Sequence, residues 1–203
     1  MIKAVVFDFI GVLFNWGTPI AIKKLHEHYG YDETIIRKLL FSKQSIKLRK
    51  GKITDKQFWN YARKVLPKNY SVKLIKEVWN KSYTINNEVF DIIKELRRKN
   101  SKLKIVGFSG NVRSRLFFLD KKYHFKKYFD IGVYSFDYGY LKPSMKFVRI
   151  MLKKVACEPK EVLYIDDSKH DVEPAVKLGI NVFIYKKGNI DKLKKELKKY
   201  KLL

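Results

Sequence analysis

The apolar rhythm of the chain changes soon after its start. Lys3 to Asp8 is a β-branched and aromatic run ending on a carboxylate, with Gly11 just beyond, and it predicts a buried strand feeding a loop. Past Trp16 the spacing becomes helical. Thr18-Pro19 reads as an N-cap followed by proline at the first helical position, and Gly30 as the stop of that helix. Asp32 opens a second helix. Thr54 and Gln57 have capping-box spacing ahead of Phe58, Trp59, Tyr61 and Ala62, and Ser71 opens a stretch through Leu74, Ile75, Val78 and Trp79. Residues 15–83 therefore predict an all-helical block.

Beyond it, strands and helices alternate. A helix over Asn87–Lys99 puts Val89, Phe90, Ile93 and Leu96 on one face, and the strand Leu103–Phe108 leads to a helix starting near Asn111. Strand Ile131–Ser135, helix Met145–Val155, strand Val162–Ile165, helix Val172–Leu178, strand Val182–Tyr185 and a lysine-rich helix over 190–200 complete the pattern. Such alternation implies a Rossmann-like α/β fold: a mainly parallel sheet with helices on both faces. The expected division is a core of residues 1–14 and 84–203, with 15–83 inserted as a helical cap. The Phe117-Phe118-Leu119 cluster, Trp59 and Trp79 read as packing residues.

Open parallel sheets bind ligands at the carboxyl ends of their strands. The residues there are Asp8, Ser109, Lys142 after a short loop, and Asp166-Asp167. Carboxylates, a hydroxyl and an ammonium on one edge are a chemical set rather than a packing set.

In their surroundings these residues resemble the four motifs of the haloacid dehalogenase-like superfamily. Val5-Val6-Phe7-Asp8-Phe9-Ile10-Gly11-Val12-Leu13 is similar to its first motif, a strand ending in a nucleophilic Asp. Gly107-Phe108-Ser109-Gly110-Asn111 is similar to the second, and Ser135 through Lys142-Pro143 to the third, which carries the lysine. Tyr164-Ile165-Asp166-Asp167-Ser168-Lys169-His170-Asp171 resembles the acidic fourth. The resemblance implies a hydrolase acting on a small phosphorylated metabolite, with Mg²⁺ held by Asp8, the Ile10 backbone carbonyl and Asp167, and with Asp166 or Asp171 behind them. Lys142 would pair with Asp8 and the phosphate, while Ser109 with the Gly110 and Asn111 amides would hold phosphate oxygens. An aspartyl-phosphate on Asp8 would divide the reaction into two steps. Asn15 and Trp16 would lie near the cap hinge facing the pocket, with packing the plainer role for Trp16. Lys47, Arg49 and Lys50 read as a solvated face, and the four histidines as surface residues.

One position departs from the pattern. Phosphatases of this superfamily usually carry a second Asp where this chain has Ile10, and that Asp protonates the leaving alcohol. Its absence favours substrates with good leaving groups. It also admits two rivals: a 2-haloacid dehalogenase, whose carboxylate attacks carbon, and a phosphate-binding regulator with little turnover. The retained Asp166 and Asp167 favour the phosphatase, because clustered carboxylates repel one another unless a cation joins them.

Composition adds bounds. The 203 residues, 46% hydrophobic and 15% aromatic, suffice for one domain with an insertion. No apolar run is long enough to span a membrane, and the N-terminal pattern lacks a signal peptide. A single cysteine, Cys157, suits a reducing cytoplasm. The net charge of +25 would attract anions, but lysines spread over nearly every helix read as surface composition, so no specific nucleic-acid partner is expected. The sequence sets no oligomeric state.

Overall fold

A computed structural model describes all 203 residues. Five parallel strands form its sheet: β1 (Ala4–Phe7), β2 (Lys104–Ser109), β3 (Ile131–Tyr134), β4 (Val162–Asp166) and β5 (Asn181–Ile184), in the order β3-β2-β1-β4-β5. Every residue of β1 is buried, as the middle strand of a sheet covered on both faces requires. Phe7 lies in register with Gly107 on one side and Ile165 on the other. From β1 the chain builds outward through β2 and β3, then returns to place β4 on the opposite flank. That reversal opens a crevice at the carboxyl end of β1, where the next residue is Asp8.

The pleat sorts the core. Ala4 and Val6 join one cluster with Phe147, Val148 and Met151 of α9 (Met145–Val155) and Val172 and Ala175 of α10 (Lys169–Lys177). Val5 and Phe7 face the other way, towards α6 (Asn87–Lys99), α7 (Arg113–Tyr123) and α11 (Ile190–Lys199). This second cluster runs on without a break into the inserted helices α1 (Gly17–Tyr29), α2 (Glu33–Leu40), α3 (Lys43–Arg49), α4 (Asp55–Val65) and α5 (Val72–Lys81). The remaining helix, α8 (Ser135–Tyr138), is a single turn after β3.

Two short segments carry the chain into and out of the insertion, and they run side by side. Asn15 N donates to Thr84 O at 3.0 Å, Thr84 N donates to Asn15 Oδ1 at 2.8 Å, and Asn86 N donates to Leu13 O at 2.8 Å. Asp32, Thr54 and Ser71 cap their helices as the sequence predicts, with the Thr54–Gln57 capping box closed in both directions. The first inserted helix begins differently. It starts at Gly17 with Trp16 in the capping position, and the Thr18 hydroxyl is drawn inward to Tyr83 Oη at 2.6 Å and Trp79 Nε1 at 2.9 Å. Burial of two aromatic polar tips outweighs the exposed cap. Trp59 and Trp79 are buried as expected, but Phe117 is 69% exposed, because the inward face of α7 runs through Val112, Arg115, Leu116 and Leu119.

One carboxylate ties the sheet to α6. Asp130 accepts from Ile105 N at 2.8 Å and from the Arg97 guanidinium at 2.7 Å. Burial acts to raise its pKa, yet these donors more than offset it and leave the group below its ordinary value. A depressed carboxylate stabilises the fold above its unfolded pKa of about 4 and loses that contribution as pH falls through the folded value. Asp130→Asn should therefore cost about 1 kcal/mol at pH 7, discounted for partial exposure. The gap to wild type should narrow in urea titrations near pH 3.

Candidate active site

Asp8 follows β1 directly and is buried, its amide donating to Ile165 O at 2.9 Å. Its Oδ1 accepts from Lys142 Nζ at 2.6 Å. The same ammonium donates to Asp166 Oδ2 at 2.6 Å and to Tyr164 Oη at 3.1 Å, so all three of its donors are engaged. Asp166 is committed in turn, for its Oδ2 also meets the Tyr164 hydroxyl and its Oδ1 accepts from Ser168 N at 2.9 Å. Asp166 thus serves Lys142, and its oxygens are spent on protein donors.

Asp167 completes the group. The ligand oxygens of Asp8, Asp166 and Asp167 lie within 4.8 Å of one another. Asp167 Oδ2 accepts from Trp16 Nε1 at 2.7 Å, so Trp16 is more than a packing residue. Gly11 makes this approach possible. Its φ is +99°, and a Cβ there would lie 2.1 Å from Asp167 Oδ2. When all three carboxyls are ionised they face one ammonium, and two negative charges have no counterpart. The titration behaviour follows. Burial pushes Asp8 up to about 8, Lys142 opposes this, and Asp166 and Asp167 add to it. Burial also raises Asp167, against the Trp16 hydrogen bond, whereas Asp166 ends lowered because Lys142 and Tyr164 outweigh its burial. A set of hard oxygens short of two positive charges fits a divalent cation.

Asp8, Lys142 and Asp167 form the floor of a cavity of about 130 Å³, also lined by Ile10, Ser109, Gly110 and Asp171. Ser109 is fully buried and its hydroxyl has no partner, which leaves it free for a ligand oxygen. Asp171 faces the cavity with its pKa raised by burial, but it stands outside the three-carboxylate group. Two residues of the expected set keep their side chains out of the cavity, although for Asn111 the expectation concerns the backbone amide. Asn15 is held by Thr84 at the base of the insertion, and the Asn111 side chain turns into the start of α7, its Oδ1 accepting from Val112 N at 2.8 Å and Arg115 Nη1 at 3.3 Å. Two residues enter that the sequence reading placed elsewhere or passed over. Arg49 lines the cavity rather than a solvated face, and so does Arg115, which is 3% exposed. The helical phase of Val112, Leu116 and Leu119 already points Arg115 inward.

The profile of the haloacid dehalogenase-like hydrolases matches residues 5–185. An uncharacterised protein of Dictyostelium discoideum is 36% identical over 94% of this chain and 94% of its own length. Among solved structures, a haloacid dehalogenase family enzyme from Bacteroides thetaiotaomicron, in complex with magnesium and inorganic phosphate, superposes with a TM-score of 0.77 at 25% identity, covering 93% of this chain and 96% of that one. The L-2-haloacid dehalogenase of Xanthobacter autotrophicus shares the fold, with a TM-score of 0.66 at 21% identity over 100% of this chain and 85% of that one.

A raised carboxyl at Asp8 has a consequence for stability. Its folded pKa lies above the unfolded value of about 4, so its contribution is full below that pH and is lost as pH rises towards 8. In EDTA, Asp8→Asn should melt above wild type at pH 8 by at least about 2–4 °C, the shift of one kcal/mol in a chain of this length. The two should converge near pH 4 in calorimetric scans.

Proposed function

The chain belongs to the haloacid dehalogenase-like hydrolases, and from that membership we propose a Mg²⁺-dependent phosphomonoester hydrolase with Asp8 as its nucleophile. One observation carries the reading: three carboxylates against a single ammonium, beside the unpartnered hydroxyl of Ser109. Asp8, Asp167 and the Ile10 carbonyl would hold the ion, with Asp171 behind them. When bound, Mg²⁺ supplies charge neutralisation for the phosphate and for the attacking carboxylate.

The protein's own groups supply the rest. Ser109 and Gly110 hold the phosphate oxygens, and Lys142 keeps Asp8 oriented and offsets its charge. An Asp8 oxygen forms a bond to phosphorus while the bond from phosphorus to the alcohol oxygen breaks. That oxygen keeps the electron pair and takes a proton from solvent, because Ile10 has none to give. Water then adds to phosphorus, the bond to Asp8 breaks, and the carboxylate and inorganic phosphate are released. Residues 15–83 act as a cap, supplying Leu40, Phe41, Arg49, Trp79 and Tyr83 to the wall of the cavity.

A second reading has its own support. Ile10 and the shared fold are compatible with attack on carbon, as in a 2-haloacid dehalogenase. The clustered carboxylates disfavour it, since attack on carbon calls for no cation to offset their mutual repulsion.

Phosphate release from an aryl phosphate should be abolished by EDTA and by Asp8→Asn. An alkyl phosphate should turn over more slowly by about 10²–10⁴-fold, the usual contribution of a positioned acid. Equal rates on the two esters would remove the argument from Ile10. Chloride release from 2-chloropropionate that persists in EDTA would select the dehalogenase, and phosphate binding without turnover would select a regulator.

A further inference from the structure

The floor of the cavity is acidic, but its inserted side is not. Arg115 projects from α7 at a position whose helical neighbours are all core, and its guanidinium lies 4.0 Å from the Trp79 ring centroid and 4.2 Å from that of Tyr83. Thr18 locks this aromatic platform by bonding to both Trp79 and Tyr83. Of the guanidinium's nitrogens, Nη1 donates weakly to Asn111 Oδ1 at 3.3 Å, while Nε and Nη2 are buried without a partner. Arg49, at the end of α3, is held through its carbonyl, which accepts from Ser135 Oγ at 2.6 Å; its own Nε is buried and unpartnered. Both side chains line the same cavity as Asp8, Ser109 and Lys142.

Neither guanidinium forms an ion pair, although acidic groups stand nearby. Asp171 faces the cavity without reaching Arg49, and Asp55 is taken by the Ser114 hydroxyl. Aromatic faces attract a cation but do not neutralise it. A buried guanidinium beside a half-buried one, neither in an ion pair, is costly, and an anion entering the cavity would offset that cost. Burial lowers the pKa of both groups, and in Arg115 the nearby Arg49 adds to that effect.

We propose that Arg49 and Arg115 form a second anion subsite, which takes a carboxylate carried by the small phosphomonoester hydrolysed at Asp8. The assignment rests on the hydrolase reading for its second half, the phosphate. Ser109, Gly110 and a cation already serve that phosphate, so the arginines serve another group. A carboxylate suits a planar guanidinium fork, which binds it through paired N–H donors. The cavity's small volume favours a three-atom carboxylate over a second phosphate.

Phosphoglycolate and ethyl phosphate differ chiefly in that carboxylate. Wild type should prefer phosphoglycolate in kcat/KM by at least about tenfold, the range of a charge-assisted hydrogen bond. In Arg49→Gln and Arg115→Met, kcat/KM for phosphoglycolate should fall about ten- to hundred-fold further than for ethyl phosphate. Arg115→Lys should recover only part of the preference. Arg49 is half-buried, so its variant reports even where Arg115→Met does not fold. Calorimetric binding of both esters to Asp8→Asn separates the two claims. Preferential phosphoglycolate binding that Arg49→Gln removes, with no turnover in wild type, would leave the subsite standing and discard the hydrolase. Equal binding of the two esters, equal losses in the arginine variants, or a preference for a bisphosphate would overturn the subsite.

Discussion

The structure turns on one ammonium group. Lys142 Nζ spends its three donors on Asp8, Asp166 and Tyr164, and no other cation lies within pairing distance of these carboxylates. An isolated buried carboxylate would protonate, and Asp8 is displaced in that direction. Lys142 keeps the cluster from neutralising altogether, yet it is one charge against three. The site is therefore stable only in part on its own, and the shortfall is what makes it receptive to a divalent cation. A second protein cation here would stabilise the fold and remove that receptivity.

The parallel sheet makes this concentration of charge possible. β1, β2 and β4 end side by side, so Asp8, Ser109 and Asp166 converge although they are far apart in sequence. The loop after β1 is then folded tightly, with Gly11 N donating to Phe14 O and Phe14 N to Phe9 O, both at 2.6 Å. That tightness, with no Cβ at Gly11, admits Asp167 against the backbone. The same loop hands the chain to the insertion beside Thr84, so the helices above the site are anchored within a few residues of Asp8.

Much of this was legible before the structure, and what was missed shares a cause. Strands and their terminal residues follow from apolar runs, and helix starts at Asp32, Thr54 and Ser71 follow from local hydrogen bonding, which depends on neighbouring residues alone. The misreadings concern side chains whose direction is set by tertiary contacts. Thr18 looked like a cap and became the clasp between Trp79 and Tyr83. Asn15 was expected in the pocket and is consumed by Thr84. Phe117 is apolar and Arg115 is charged, yet the helical phase of α7 exposes the first and buries the second. Period was the better guide than polarity.

The net charge of +25 also reads differently once the cavity is known. Most ion pairs of the protein are exposed and local, between residues three or four apart on one helix, and contribute little. The excess of lysine therefore acts mainly as a long-range field that raises the local concentration of anions. A field of that kind cannot choose among them. Choice falls to a cavity with an acidic floor at the strand ends and a basic wall against Trp79 and Tyr83. On the proposed reading, a small ligand with two anionic ends would meet a cation-assisted seat at one end and a guanidinium fork at the other, and only one orientation would satisfy both. For the proposed phosphatase, with Ile10 unable to donate a proton, such orientation would be the main means left to this chain for holding an ester in line with Asp8.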